Sequence, residues 1–188
     1  MSKDTLSEAL DHLDHLDHLD KLLIKKSLQI EIVICGAYAI QLYGILRGFH
    51  TQDVDSLKHI DSIEVLKAIE EVGISFGLGP RWLNDQASTV SIPKGAIERA
   101  KPIQKWTTIK ASLIDRIDLI KMKASAFSIR REETIKDWED LRLLNPTKAE
   151  INAAIEFLMK TNSPPAGATR KIKDEFKETL DDLKKLIK

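Results

Sequence analysis

The sequence predicts an α/β (α+β) fold: a small mixed β-sheet core with flanking helices and a helical C-terminal half. Three observations predict it. A β-branched run, Ile30–Cys35, stops at Gly36 and passes directly into an apolar segment with no breaker before Gly44, the pattern of a buried strand feeding a helix. A second strand–helix pair fits between Thr51 and Gly73. Beyond Asp115 the apolar residues recur at three- and four-residue spacing among charges, as on amphipathic helices. The expected organisation is an N-terminal helix over 1–28, an α/β core over 29–114 and a helical region over 115–188 packed on that core.

The 188 residues suffice for a hydrophobic core without covalent staples. Lys plus Arg and Asp plus Glu each number 29, which excludes the strongly basic footprint of a dedicated DNA-binding domain but leaves room for a local basic patch. Aromatic residues make up 5 % of the chain, so stacking platforms for single-stranded nucleic acid are few. The single cysteine, Cys35, excludes an intramolecular disulfide framework and a multi-cysteine zinc site, and it fits a reducing compartment. No basic leader followed by an apolar stretch is seen, and no apolar run approaches the roughly 20 residues of a membrane span. The expectation is a cytoplasmic protein with no membrane partner.

Taken in order, Asp11–Asp20 is a three-residue Asp-His-Leu repeat that sets Leu10, Leu13, Leu16 and Leu19 at i, i+3 spacing. That stripe drifts by about 60° per repeat around a helix, so Leu22, Leu23 and Ile24 are expected to take over the buried face. His12, His15 and His18 invite a metal reading, against which stands an ordinary solvated Asp/His face. The strand Ile30–Cys35 and the helix after Gly36 come next, then a strand expected over 51–60 and a helix opened by Asp61-Ser-Ile-Glu64, a capping-box-like pattern. Residues 73–102 hold Gly73, Gly77, Gly79 and Gly95 with Pro80, Pro93 and Pro102, which predicts an irregular segment. A third strand is expected over Trp106–Leu113. Helices follow from Asp115, through Ile135–Leu144, from the capping box Thr147–Glu150, and through Ile172, Phe176, Leu180, Leu183 and Ile187.

The segment that carries chemistry is Gly36-Ala37 with Arg47 and Thr51-Gln-Asp53-Val-Asp55. Alternate strand residues share a face, so Asp53 and Asp55 project together while Val54 turns to the core. Two adjacent carboxylates repel unless a cation lies between them. Mg²⁺ characteristically takes one or two carboxylates together with substrate phosphates. Gly36, between strand and helix, presents backbone N–H groups to an anion without a side chain in the way. Asp53 and Asp55 alone are equally a solvated pair at a strand edge, and Gly36 alone a helix start; their order and spacing favour a metal-and-triphosphate site.

In these residues the chain resembles the minimal nucleotidyltransferase superfamily, whose pattern is a strand ending in Gly-Gly or Gly-Ser, a helix, then Asp-x-Asp on the next strand. Ala39–Gly44 with Thr51-x-Asp53-x-Asp55, Trp82-Leu-Asn-Asp85, Ile120-Lys-Met-Lys123-Ala-Ser-Ala126 and the stretch from Arg130 to Leu141 further resemble a bacterial group of uncharacterised nucleotidyltransferase-fold proteins related to AbiEii-type toxins. The likeness covers about residues 25–160. It implies a Mg²⁺-dependent enzyme, with Mn²⁺ as a substitute, that transfers a nucleoside monophosphate from a nucleoside triphosphate (NTP) to RNA, tRNA or protein. A toxin–antitoxin pair with a partner antitoxin is the implied setting. Asp53 and Asp55 would be both catalytic and metal-binding. Gly36, Ala37, Arg47, Thr51 and Lys123 would bind substrate.

The sequence departs from the pattern in three places, the first being that Arg47 stands four residues before Thr51, with Phe49 and His50 between, where the family Arg lies close before the Thr. Ala37 stands where the family has Gly or Ser. The strand expected over Trp106–Leu113 contains no acid to act as the superfamily's third carboxylate; Asp85 and Asp115 are the candidates, and Asp115 also reads as a helix N-cap. These departures motivate a second reading, a catalytically lapsed nucleotidyltransferase fold acting as a binding module. Ordinary structural roles are weighed as well. Lys123 reads as a phosphate contact or as a snorkelling surface lysine. Lys136, Asp137 and Asp140 read as an ion network, Trp82 as a loop anchor and Cys35 as a core residue.

Overall fold

A computed structural model describes residues 3–45, 47, 51–130 and 135–187, with side chains from residue 14 onward except at 88 and 89. The fold is mixed α/β. Five strands, β1 (Ile30–Cys35), β2 (Val54–Ser56), β3 (Leu83–Asn84), β4 (Lys101–Ile103) and β5 (Ile109–Leu113), form one sheet in the order β3-β2-β1-β5-β4. β1 runs antiparallel to β2 and parallel to β5, β3 is parallel to β2, and β4 is antiparallel to β5. The chain divides into two units: Met1–Ser88 with Ile97–Asp115, which contains the sheet strands, and Thr89–Ala96 with Arg116–Lys188.

In the first unit β1 is the central strand. Ile32, Val33, Ile34 and Cys35 are buried, as expected of a β-branched run covered on both faces. Around the sheet lie α1 (Lys3–Lys26), α2 (Gly36–Leu42) and α3 (Ile63–Ser75). The α3 cap is Ser62, whose Oγ accepts from Val65 N at 3.2 Å, one residue later than the Asp61–Glu64 pattern predicts. Trp82 is buried and donates from Nε1 to Ile69 O at 2.8 Å. It anchors the loop as expected.

Three expectations change. β2 is three residues long rather than spanning 51–60, because Ser56 Oγ turns back to Lys58 N (3.0 Å) and accepts from Val33 N (3.3 Å), ending the ladder. The segment 73–102 is less irregular than its glycines and prolines imply, since it contains β3, a 3₁₀ turn over Gln86–Thr89, α4 (Ala96–Arg99) and the start of β4. These pieces are too short to display a period, and Pro102 is tolerated because β4 is an edge strand. The third predicted strand begins at Ile109 rather than Trp106.

The reason for that late start lies in α1. Leu16, Leu19 and Leu23 are buried, whereas Ile24 stays 48 % exposed. The polar positions of the repeat are not a simple solvated face. The His15 ring packs 4.7 Å from Phe76 and 5.8 Å from Trp82, and His18 lies 4.7 Å from Phe76. Asp17 accepts from Trp106 Nε1 at 2.6 Å. Asp20 accepts from Thr108 Oγ1 (2.6 Å), Thr108 N (2.7 Å) and Thr107 N (3.1 Å), so residues 106–108 are a turn that grips α1. The side chain of His12 lies outside the described residues.

Burial pushes the Asp20 pKa up, but the Thr108, Thr107 and Ile109 donors outweigh burial and hold it below the ordinary carboxylate value. A depressed folded-state pKa contributes stability that is complete above the unfolded pKa of about 3.9 and is lost as pH falls through the folded value. Asp20→Asn is therefore expected to lower the unfolding free energy by about 1–3 kcal/mol at pH 7. Denaturant titrations at pH 7 and below about pH 4 should show the gap to wild type narrowing in acid; a constant gap would contradict this account.

The second unit is helical: α5 (Arg116–Arg130), α6 (Lys136–Leu144), α7 (Lys148–Thr161) and α8 (Arg170–Lys184), with α5 packed on α6 and α7. Asn145 in the left-handed region ends α6 ahead of Pro146. The capping box forms as predicted, Thr147 N donating to Glu150 Oε2 (2.8 Å) and Glu150 N to Thr147 Oγ1 (3.3 Å). Arg116 Nε donates to Glu150 Oε1 at 2.9 Å, tying α5 to the start of α7. Among the described residues no helix is long and apolar enough to cross a membrane.

Candidate nucleotide and metal site

The candidate site is built at one end of the sheet in the first unit. Antiparallel pairing sets Asp55 opposite Cys35, the last residue of β1, and the next residue is Gly36. Cys35 is buried and its Sγ donates to Asp55 O at 3.4 Å, which gives the cysteine a structural role. Gly36 has φ +66, and a Cβ there would overlap Asp55 Oδ2 and lie 3.0 Å from Asp55 Cγ. The glycine is thus required twice, by the left-handed backbone and by the carboxylate that occupies the place of its missing side chain.

Burial alternates along the segment: Asp53 is exposed, Val54 fully buried, Asp55 half-buried and Ser56 buried. Val54 is the buried position between two more accessible acids, the order of burial that alternation along a strand produces. Asp53 precedes the strand and is held by Thr51, whose Oγ1 accepts from Asp53 N (3.4 Å) and donates to Asp53 O (3.3 Å). Ala37 lies half-buried in the first turn of α2. Arg47 is buried, 5 % exposed; residues 48–50, which join it to Thr51, lie outside the described residues.

Lys123 belongs to the second unit. Its ammonium lies 2.7 Å from Asp140 Oδ2 and 3.1 Å from Asp137 Oδ1, and Arg130 Nη2 reaches Asp137 Oδ2 at 2.9 Å. The ion network expected around Asp137 and Asp140 therefore exists, but Lys123 is its central cation. Lys136 is an exposed residue at the start of α6. The network joins α5 to α6 inside the helical unit.

The register also places residues whose positions the sequence does not reveal. Asn84 on β3 is the partner of Asp55. Leu113 pairs with Ile34, and Ile114 N donates to Ile34 O at 3.0 Å; Asp115 follows just after β5. Lys101, the partner of Leu113 on β4, lies 3.8 Å from Asp115 Oδ2. Asp85 is turned elsewhere: Oδ2 accepts from Ile60 N at 3.2 Å and contacts His59 Nδ1. Burial raises its pKa, the Ile60 amide and His59 outweigh that, and the net value is below the ordinary one.

As a test of fit for a divalent ion, no three His, Cys, Asp or Glu groups gather closely enough to hold a metal among the described residues. The carboxylates that the sequence pattern offers to such an ion are the pair Asp53 and Asp55. That set suits Mg²⁺, which is commonly held by one or two carboxylates with the remaining positions filled by water and substrate phosphate.

A family model described as "Nucleotidyltransferase of unknown function (DUF6036)" matches residues 11–178. No curated protein and no solved structure matches the chain.

Proposed function

Since the chain belongs to this nucleotidyltransferase family, whose model covers most of its length, we propose that it transfers a nucleoside monophosphate from an NTP to an acceptor hydroxyl. Asp53 and Asp55 hold Mg²⁺ in this reading, with Mn²⁺ as a substitute. The single observation behind the site is the Asp55 carboxylate seated where a side chain at position 36 would be. Asp53 and Asp55 would hold the metal, and the chemistry it would supply is neutralisation of triphosphate charge. Thr51 fixes the backbone that carries Asp53. Gly36 gives the Asp55 carboxylate room at the corner, and Ala37 in the first turn of α2 adds only a methyl group beside it.

In the reaction the acceptor oxygen forms a bond to the α-phosphorus as the bond from that phosphorus to the pyrophosphate oxygen breaks. The acceptor's proton would pass to a carboxylate base, for which Asp115, just after β5, is the candidate. Phosphoryl chemistry depends mainly on such positioning and on electrostatic stabilisation. The acceptor class is an RNA, tRNA or protein hydroxyl, and the toxin–antitoxin setting implied by the AbiEii-like motifs belongs to this same reading. Lys123 is assigned to the helical ion network rather than to phosphate.

The second reading, a lapsed transferase that acts as a binding module, is favoured by one observation: among the described residues no third acid joins Asp53 and Asp55 in a metal-binding cluster. Calorimetric titration with NTP and Mg²⁺ separates the two. Wild type is expected to bind, and Asp53→Asn with Asp55→Asn to lose all Mg²⁺-dependent binding while keeping its circular dichroism spectrum. A folded wild type that gives no heat supports the module, and equal binding by the double variant removes the two aspartates from the site.

A further inference from the structure

The helical unit contains a cavity that the nucleotidyltransferase reading leaves unused. Its volume is about 500 Å³, and it lies between the end of α5, residues 162–165 after α7 and the first turns of α8. That is the size of many small-molecule sites. The local sequence explains why the space is there. Pro164-Pro165 cannot continue α7 and holds an extended path, and Thr169 then opens α8, its Oγ1 accepting from Ile172 N at 3.4 Å. The buried residues of α8 are Thr179 and Leu183, both in its second half, so the helix is seated there while its first turns border the cavity.

The lining is of two kinds. Ile129, Pro164, Pro165, Ile172 and Phe176 are apolar, and Ile129 and Ile172 are 55 % and 47 % exposed, large side chains left to water on two different helices. The charged residues are Arg130, Lys171 and Glu175. Lys171 Nζ lies 3.5 Å from Glu175 Oε1, so those two charges offset each other. Arg130 is not matched in this way. Its Nη2 donates to Asp137 Oδ2 at 2.9 Å, and its buried Nε has no acceptor among the described residues. A guanidinium carries five donors, and one left without an acceptor away from water costs free energy that a ligand or water oxygen recovers. We infer that the cavity binds a small organic anion, with a ring-sized apolar body against Ile129, Ile172 and Phe176 and an acidic group accepting from Arg130. Covering the two isoleucines removes apolar surface from water, and the acidic group makes a charge-assisted contact with the cation. All the lining residues belong to the helical unit, whereas Asp53 and Asp55 belong to the first, so the inference is independent of the nucleotidyltransferase reading and requires neither Mg²⁺ nor NTP.

Fluorescence titrations of the full chain with anilinonaphthalene sulfonate, an apolar anion, and with phenylnaphthylamine, the same rings without the sulfonate, test the assignment. Wild type is expected to bind the sulfonate at a single site and the neutral compound about tenfold more weakly, within the worth of one charge-assisted hydrogen bond. Ile172→Glu should abolish binding of both probes. Met159→Glu, at an exposed apolar position of α7 outside the cavity, should change neither. Arg130→Gln should lower sulfonate affinity to that of the neutral compound and leave the neutral compound's affinity as it was, which also reports that the cavity is intact. Sulfonate binding that survives Ile172→Glu overturns the site. Equal affinities of the two probes in wild type overturn the anionic class of ligand, and a wild type that binds neither overturns the inference as a whole.

Discussion

Replacing Lys123 with methionine is expected to destabilise the protein by about 3–5 kcal/mol, the usual cost of removing one partner from a buried ion pair. The side chain of Lys123 is 13 % exposed, and those of Asp137 and Asp140 are 5 % and 1 % exposed. Methionine fills similar space on α5 but leaves the two carboxylates with no ammonium between them in a poorly solvated setting. Arg130 still reaches Asp137. Denaturant unfolding checks the magnitude. A double variant, Lys123→Met with Asp140→Asn, should lose less than the sum of the two single losses, because the uncompensated charge is then gone. A Lys123→Met protein of normal stability with weakened NTP binding would return the lysine to the substrate and refute the structural role.

Gly36→Ala is expected to separate binding from folding in the opposite way. A left-handed backbone costs a residue with a Cβ about 1–2 kcal/mol, so the variant should stay folded with a modest loss of stability. Its methyl group claims the space of Asp55 Oδ2, so the carboxylate must swing away, and Mg²⁺-dependent NTP binding should fall below detection. Gly77→Ala is the matched control, since Gly77 has φ +68 with nothing within 4 Å of an added Cβ. It carries the same backbone strain and should bind normally. Wild-type affinity in Gly36→Ala would show that the position of Asp55 does not matter to the ligand. Equal binding losses in both variants would point to strain alone.

These two residues also show what kind of information the chain holds locally. The corner is legible because its parts are close in sequence. A β-branched strand, a glycine, a short helix and a second strand specify one another through propensity and alternation, so the approach of Asp55 to Gly36 follows once β1 and β2 pair. The helix cap at Thr147 is legible for the same reason. Lys123 is different. An isolated lysine on a helix looks alike whether it meets solvent, phosphate or carboxylate, and its partners on α6 arrive only through helix packing.

By itself the sequence determined the α/β class, the strand–glycine–helix–strand order that aligns Asp55 with the corner, and the helical character of the C-terminal half, because each is written in residues within a few turns or one hairpin of each other. Only the tertiary structure decided that the Asp-His repeat grips residues 106–109 and packs on Phe76, and that β3 and β4 exist at all. It likewise decided that Lys101 and Leu113 sit level with Ile34 near the end of β1. Those arrangements depend on hydrogen bonds between segments up to 89 residues apart, as from Ile109 N to the Asp20 carboxylate. Strands of two or three residues carry no period of their own and form only when a longer neighbour supplies the ladder.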